Sequence, residues 1–334
     1  MIHIIAEAGS NHNGSIENAK KLIDIAANAQ ADSVKFQIIN TWGLYLPGNY
    51  EYGHYNLEDV LAFRKKTEFK PEDIRILSEY SKPKKIQFSA SIFDEEGLNM
   101  LNEVNPSYIK IASGDLNNLR LIRNILANSS NESKLILSTG MSTLSDIERT
   151  VNEIDKNGHL NRLVLLHCVS IYPARIEETN LSFIATLKKT FGTQVGFSDH
   201  TKDSKAALIA LGIGATWFEK HFTFDKKAEG LDHKHAADET ELKQYVDDLR
   251  KGEKALIDKK EDKISEGEFY TRKRARRALY ASRDMKAGEI IKDEDILCVR
   301  PEGPMQADEI DFLIGKQLAE EIKQYKPFTK DAIK

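Results

Sequence analysis

Short apolar runs alternate along this chain with longer stretches in which apolar residues recur every three or four positions. The runs occupy residues 3–8, 33–38, 85–90, 108–112, 134–138, 163–168, 194–197 and 216–221. They are near-continuous in Val, Ile, Leu, Phe and Ala rather than strictly alternating, the pattern of parallel strands covered on both faces. Between them the helical period returns. Ile16, Ala19, Leu22, Ile23 and Ala26 share one face, and Pro71 with Glu72 and Asp73 opens a further helix. Thr143 and Asp146 form a capping box ahead of Ile147, Val151 and Ile154, and Leu242, Tyr245, Val246 and Leu249 make the last apolar face. This alternation predicts an α/β fold, and the number of repeats favours a closed parallel (β/α)₈ TIM barrel over an open doubly wound sheet. No G-x-G-x-x-G follows the first run, so the dinucleotide-binding alternative lacks its fingerprint.

The rhythm breaks twice. Residues 40–70 are long for a connection and carry Trp42, Tyr45, Tyr50, Tyr52 and Tyr55. Following the second strand, this segment is expected to cover or frame the barrel mouth; the competing reading is an insertion packed on the outside. After Leu249 the texture changes again. Residues 251–274 are charge-rich and read as a helix end and linker. A small β-rich module then begins with Ala278-Leu279-Tyr280-Ala281-Ser282 and a turn at Lys286-Ala287-Gly288-Glu289. The boundary is set near 272, giving a barrel domain over 1–271 and a small domain over 272–334.

Barrel chemistry happens at the C-terminal ends of the strands, and here those ends are loaded. They carry Glu7 with Ser10-Asn11-His12; Lys35 and Gln37; Ser89 and Ser91; Lys110, Ser113 and Asp115; Ser138-Thr139-Gly140; His167, Ser170 and Tyr172; Ser198-Asp199-His200; and Glu219-Lys220-His221. Lys35 and Lys110 beside Ser113, Ser138 and Ser198 make a donor cradle for a phosphate and a carboxylate. His200 and His221, from adjacent strands, are candidate ligands for a divalent metal with open positions for water and substrate. Glu7, on the strand that closes against the eighth, is a metal-side carboxylate, a proton-transfer group or a sugar anchor; its competing role is a buried ion pair with one of the lysines. Asp232-His233-Lys234-His235 offers a rival metal site, although two histidines spaced by two in a loop more often face solvent.

Composition narrows the field. The 334 residues exceed the roughly 250 that a barrel needs, are 40% hydrophobic and carry a net charge of −4, which argues against nucleic acid as a partner. The one basic run, Arg272-Lys273-Arg274-Ala275-Arg276-Arg277, reads as a solvated linker or as an anion-attracting rim. Cys168 and Cys298 lie in apolar contexts without metal-type spacing and are expected to be buried free thiols, as in a reducing cytoplasm. The start lacks a charged leader, and no run approaches the roughly 20 apolar residues of a membrane span. A cytoplasmic protein with no membrane partner is the expectation.

The segments IIAEAGSNHNG, SVKFQ, YIKIASGD, LILSTGM, LLHCVSIYP, GFSDHT, FEKHFT and GLDHK, followed by LYASRDMKAGEII and CVRPEG, run in order through nearly the whole chain. Together they resemble the N-acetylneuraminate (sialic acid) synthase family, with its legionaminic and pseudaminic acid synthase relatives. The resemblance implies a (β/α)₈ barrel followed by a C-terminal SAF, or antifreeze-like, domain. It also implies a domain-swapped homodimer in which each SAF domain covers the partner's barrel. The implied reaction condenses phosphoenolpyruvate with an N-acetylated hexosamine, either N-acetylmannosamine or a 2,4-diacetamido-2,4,6-trideoxyhexose. Its products are a nine-carbon 2-keto acid and phosphate. Carried over by motif, Lys35, Lys110, Ser113, Ser138, Ser170 and Ser198 would bind phosphoenolpyruvate. His200 and His221 would hold the metal, Mn²⁺ first, with Mg²⁺ or Co²⁺ as alternatives. Glu7 would act at the reacting centre, Gln37, Tyr172 and Asp232 would contact the acceptor, and Arg300 would reach it from the partner subunit. Two places depart from the family pattern: Ser170 fills the Asn slot of C-x-N-x-Y-P, and residues 40–70 match poorly around their aromatic cluster.

Three rivals remain at this stage. A phosphoenolpyruvate synthase acting on a sugar phosphate would need further basic residues. A metal-dependent barrel hydrolase would not need the paired lysines. A catalytically inactive carbohydrate-binding protein would not need Glu7, both lysines and both histidines together.

Overall fold

The computed structural model describes residues 1–53, 56–256 and 264–334. Eight parallel strands close in sequence order into a barrel: β1 (His3–Gly9), β2 (Ser33–Ile38), β3 (Gln87–Ile92), β4 (Tyr108–Ile111), β5 (Lys134–Ser138), β6 (Leu163–Cys168), β7 (Gln194–Asp199) and β8 (Trp217–His221). The third strand lies two residues later than its apolar run suggests. Its last turns are Ser-Ala-Ser-Ile, and pairing with β2 outweighs hydrophobicity there.

The chain divides into two compact units, Met1–Ile257 and Asp258–Lys334. Much of the stretch read as linker is helix. The helix Glu239–Leu256 runs on past Leu249, and Glu266–Ala275 is a second helix started by a Ser265–Glu268 capping box. This second helix groups with the later unit, and residues 257–263 lie outside the described set. The later unit pairs β9 (Ala278–Ala281) with β10 (Ile296–Val299) antiparallel around a core of Leu279, Met285, Ile291, Met305, Leu313, Leu318 and Phe328. Part of the basic run is bound locally, since Arg272 Nε donates to Glu302 Oε1 at 2.5 Å.

Around the barrel, outward side chains of the strands meet the helices in one continuous core. Helix α1 (Ile16–Asn28) buries Ala19, Leu22, Ile23, Ile25 and Ala26, and Ser15 caps it by accepting from Asn18 N. Inside the barrel, below the mouth, Ile5, Tyr108, Ile136, Val164 and Leu166 form a separate plug with Trp217 against it. Beneath them His3 stacks on Trp217 at 4.1 Å, and Ser33 Oγ bonds both His3 Nε2 and Tyr108 OH. The barrel is thus solid at its base, and polar side chains find room only at the C-terminal ends.

Residues 40–70 do not form one loop. They fold into α2 (Thr41–Leu44) and α3 (Leu57–Lys66), ahead of α4 (Pro71–Ser81), which opens with Pro at its start as the sequence predicts. Tyr55 lies outside the described residues. Among the described residues no helix is long and apolar enough to cross a membrane.

Gly196 on β7 shows how tightly the plug is built. A Cβ there would sit 2.2 Å from Trp217 O and 2.5 Å from Leu166 Cδ2. Gly196→Ala is therefore expected to cost about 1–3 kcal/mol, read as a lower urea midpoint of the far-UV circular dichroism transition.

Candidate active site

Parallel register sets the heights of the reactive groups. Glu7 pairs with Lys35 on one side and His221 on the other; Ser91 pairs with Lys110, and Ser198 with Glu219. Alternate residues of a strand face opposite ways. Lys35 and Gln37, Ser198 and His200, and Glu219 and His221 therefore turn into the mouth together. There they line one cavity of about 820 Å³ with Glu7, Lys110, Ser113, Ser138, Ser170, Tyr172 and Asp232. Arg300, the remaining expected site residue, belongs to the second unit, where it is exposed just after β10.

The residues between and around them are held by partners of their own, although Asp199 and Lys220 still touch the cavity. Asp199 accepts from Thr201 N and Oγ1 and pairs with Lys220 at 3.6 Å. The Lys220 ammonium also donates to Thr201 O and lies over the Tyr245 ring. His167 Nε2 meets Thr179 O at 2.6 Å, and Asp115 accepts from Asn118. His12 stacks on Phe69, its Nδ1 accepting from Gly14 N. The rival metal site is likewise closed: His233 is fully buried, with Nδ1 on Thr223 Oγ1 at 2.6 Å and Nε2 on Asn13 Oδ1 at 3.2 Å. Only His235 of that pair lines the cavity.

At the cavity floor lies a buried charge quartet. Lys35 Nζ is 2.5 Å from Glu7 Oε2 and 3.4 Å from Glu219 Oε2, and it donates to Ser91 Oγ at 2.8 Å. Lys110 Nζ is 3.2 Å from Glu219 Oε2, and Ser198 Oγ donates to Glu219 Oε1 at 2.7 Å. Burial pushes the Glu7 carboxyl above its ordinary value, and Lys35 offsets this only in part. Burial also works against the Lys35 ammonium, but Glu219 and Glu7 prevail and raise it. For Glu219, burial acts upward while Lys110 and Lys35 override it, holding the carboxyl well below the usual range. Lys110 is lowered, chiefly by burial. The ion pair that competed as a role for Glu7 is real, and it leaves Glu7 Oε1 toward Gln37 Nε2, 3.4 Å away.

Beside the quartet the cavity narrows around Gly140. A Cβ at this position would lie 2.4 Å from Ser170 Oγ, 2.7 Å from Cys168 Sγ and 2.8 Å from Ser113 Oγ. Glycine therefore keeps open a recess lined by two hydroxyls. Ser138 Oγ, which lines the same cavity, is buried without a hydrogen-bond partner among the described residues. An unsatisfied donor in the cavity that also holds the two lysines suits an anion.

The histidines stand on the other side. His200 and His221 have ring centroids 5.6 Å apart, and Tyr172 lies 4.1 Å from the His200 ring. His200 Nδ1 faces the Val169 carbonyl at 2.7 Å, so that nitrogen carries the proton. Nε2 then presents a lone pair, and Ser198, 3.5 Å away, gives its own proton to Glu219. Burial, reinforced by His221, lowers the His200 pKa to about 3, keeping the ring neutral. Asp232 Oδ2 lies 3.7 Å from His221 Nδ1.

Residues 22–261 of the chain match the NeuB family, and residues 276–334 match the SAF domain. The chain belongs to the NeuB family. It is 37% identical over 328 residues to N,N'-diacetyllegionaminic acid synthase of Campylobacter jejuni subsp. jejuni, covering 96% of this chain and 97% of that protein. Pseudaminic acid synthase of the same organism is 34% identical over 330 residues, covering 96% and 94%. Among solved structures, N-acetylneuraminic acid (sialic acid) synthetase from Leptospira borgpetersenii serovar Hardjo-bovis, in complex with citrate, superposes with a TM-score of 0.71 at 36% identity. That alignment covers 81% of this chain and 90% of that one. The NeuB-family chain is an enzyme of the sialic acid synthase type.

Sequence reasoning assigned no role to several residues of this NeuB cavity. Glu219 is the largest omission. Its spacing of two from His221 put both on one strand face, but charge and motif alone did not separate it from Lys220. Cys168, expected as a buried free thiol, is one, and it touches Ser113 Oγ at 3.0 Å and lines the cavity; Cys298 is free but only half-buried. Tyr45, Tyr52, Val60 and Arg64 also line it, so part of the 40–70 segment frames the mouth, while Trp42 stays exposed.

Removing Glu219's charge leaves Lys110 without its carboxylate. Glu219→Gln is expected to destabilise the barrel by about 3–5 kcal/mol, measured by urea denaturation. Inorganic phosphate should recover more stability in the variant than in the parent protein.

Proposed function

We propose that this NeuB-family enzyme condenses phosphoenolpyruvate with an open-chain N-acetylated hexosamine and water to give a nine-carbon 2-keto acid and phosphate. One observation carries the reading: two buried lysines and an unsatisfied serine share a single cavity with two imidazoles, that of His200 held neutral by burial. The names of the relatives support it. A hydrolase reading leaves the lysine pair without a task. A sugar-phosphate acceptor would call for a second set of basic side chains, and the cavity's other cations are Lys220, held by Asp199 and Thr201, and the single Arg64.

In this reading Lys110 and Lys35 hold the phosphate and carboxylate of phosphoenolpyruvate, joined by Ser138 and by Ser198 once it turns its hydroxyl from Glu219 to the anion, with Ser113 and Ser170 lining the recess at Gly140. Gln37, Tyr172 and Asp232 orient the acceptor. The methylene carbon of phosphoenolpyruvate attacks the aldehyde carbon, the C=O π pair moving onto the aldehyde oxygen as an alkoxide and positive charge remaining at C2. Water adds at C2, and the C–O bond to phosphate then breaks. Glu7, its pKa raised by burial, stabilises the charge at C2 and accepts the proton of the attacking water on Oε1.

His200 and His221 fit a divalent metal, because the Nε2 lone pair of His200 has no firm donor and its ring is neutral. Among the described residues no group of three His, Cys, Asp or Glu converges, so substrate and water would supply the other ligands. Imidazole donors favour Mn²⁺ or Co²⁺ over the oxygen-preferring Mg²⁺. Such a metal would polarise the aldehyde oxygen as a Lewis acid. The quartet supplies a reason to need one: two carboxylates already neutralise the two lysines, so an incoming anion finds no net positive charge. A domain-swapped homodimer, in which a second copy brings Arg300 over the mouth, completes the proposal.

The deciding experiment measures phosphate release and product mass from phosphoenolpyruvate plus Mn²⁺, with and without N-acetylmannosamine or a 2,4-diacetamido-2,4,6-trideoxyhexose. Acceptor-dependent release with a nine-carbon product is expected; release without acceptor would favour a hydrolase. Glu7→Gln should lower kcat by at least about 100-fold while phosphoenolpyruvate binding, followed by calorimetry, stays nearly intact. Normal turnover in that variant removes Glu7 from the mechanism.

A further inference from the structure

The cavity has a second end that the condensation leaves unused. From Glu7 a chain of polar contacts climbs out of the barrel. Gln37 Nε2 lies 3.4 Å from Glu7 Oε1, Ser10 Oγ 3.4 Å from Gln37 Oε1, and Arg64 Nη1 2.8 Å from Ser10 Oγ. Arg64 Nε in turn donates to Tyr45 OH at 3.3 Å. Arg64 is half-buried on α3 and has no carboxylate partner among the described residues. Around it the cavity wall is Tyr45, Tyr52 and Val60, without an acidic side chain from this segment.

A guanidinium only donates. Two of its N–H groups are fixed by Ser10 and Tyr45, which holds the plane of the fork in place and leaves other N–H groups for a ligand. The best match is an acceptor-only oxygen, which excludes a free sugar hydroxyl as the preferred group. A phosphate would satisfy the donors but gain nothing from two tyrosine rings and a valine. An acylamido group uses both features, its carbonyl oxygen on the guanidinium and its methyl and amide plane on the aromatic wall.

Position agrees. The imidazoles that would flank the aldehyde stand just after β7 and at the end of β8, whereas Gln37 stands on β2 and Arg64 of α3 is held by Ser10, just after β1. Interstrand spacing separates β8 from β2 by roughly 10 Å, the span of an extended six-carbon sugar with a substituent. We infer that Arg64 is a specificity-determining residue, donating to the carbonyl of a second acylamido group carried by the acceptor beyond its first. This rests on the condensation reading above and narrows its substrate to a diacylated amino sugar.

The test compares three acceptors at saturating phosphoenolpyruvate: a 2,4-diacetamido-2,4,6-trideoxyhexose, N-acetylmannosamine and N-acetylmannosamine 6-phosphate. The parent enzyme is expected to favour the diacetamido sugar at least tenfold in kcat/KM. Arg64→Gln should erase most of that preference through KM, leaving the KM for phosphoenolpyruvate unchanged. A parent enzyme that prefers either of the other acceptors overturns the assignment, whether or not the variant folds. So does a variant that loses activity equally on all acceptors, which would mark Arg64 as a structural anchor of α3. Absence of turnover with every acceptor would instead sink the synthase reading, and this inference with it.

Discussion

The structure turns on a charge cluster buried in an otherwise apolar barrel. Glu7, Lys35, Lys110 and Glu219 are each nearly inaccessible to water, and each would be costly to bury alone. Together two carboxylates face two ammonium groups, linked through the shared Glu219 oxygens. That sharing is a consequence of parallel register. β1, β2 and β8 are hydrogen-bonded neighbours whose inward residues arrive at one height, and Lys110 reaches in from β4. The plug below makes the cluster possible, since Ile5, Tyr108, Ile136 and Leu166 exclude water from beneath it.

The same cluster organises what surrounds it. Ser198 commits its hydroxyl proton to Glu219 and so leaves the His200 lone pair exposed to the cavity. Gln37 ties Glu7 to Ser10, and Ser10 ties the strand end to Arg64 of α3. The floor is rigid because it is made of strands. The outer wall comes from the 40–70 segment, where the chain is free of the barrel's register. The candidate reacting groups thus stand on the scaffold, and part of the cavity's wall on a segment that can vary without disturbing it.

Much of this was legible in the chain. Near-continuous apolar runs separated by helical faces announced the parallel barrel, because strands covered on both sides must be apolar along their whole length. The Thr143–Asp146 capping box and the proline at the start of α4 formed as the local chemistry required. Glu7, Lys35, Lys110, Ser138, Ser198, His200 and His221 stood out because each sits at a strand end, where stability alone has no use for them.

Tertiary structure decided the rest. A strand end exposes its residues alternately to the mouth and to the helices, and residue type does not say which way each turns. Lys220 and Asp199 carry the same charges as Lys110 and Glu219, yet at the cavity's edge they are tied to each other, to Thr201 and to the Tyr245 ring. His233, buried and bonded through both nitrogens, is no ligand despite its neighbour His235. Glu219 became the centre of the site only once β4 and β8, distant in sequence, were brought across the barrel from each other. Local patterning determined the elements and the order in which they fold together. Which of their polar groups meet depends on register and barrel closure, and these are set by contacts between residues that sequence spacing does not bring near.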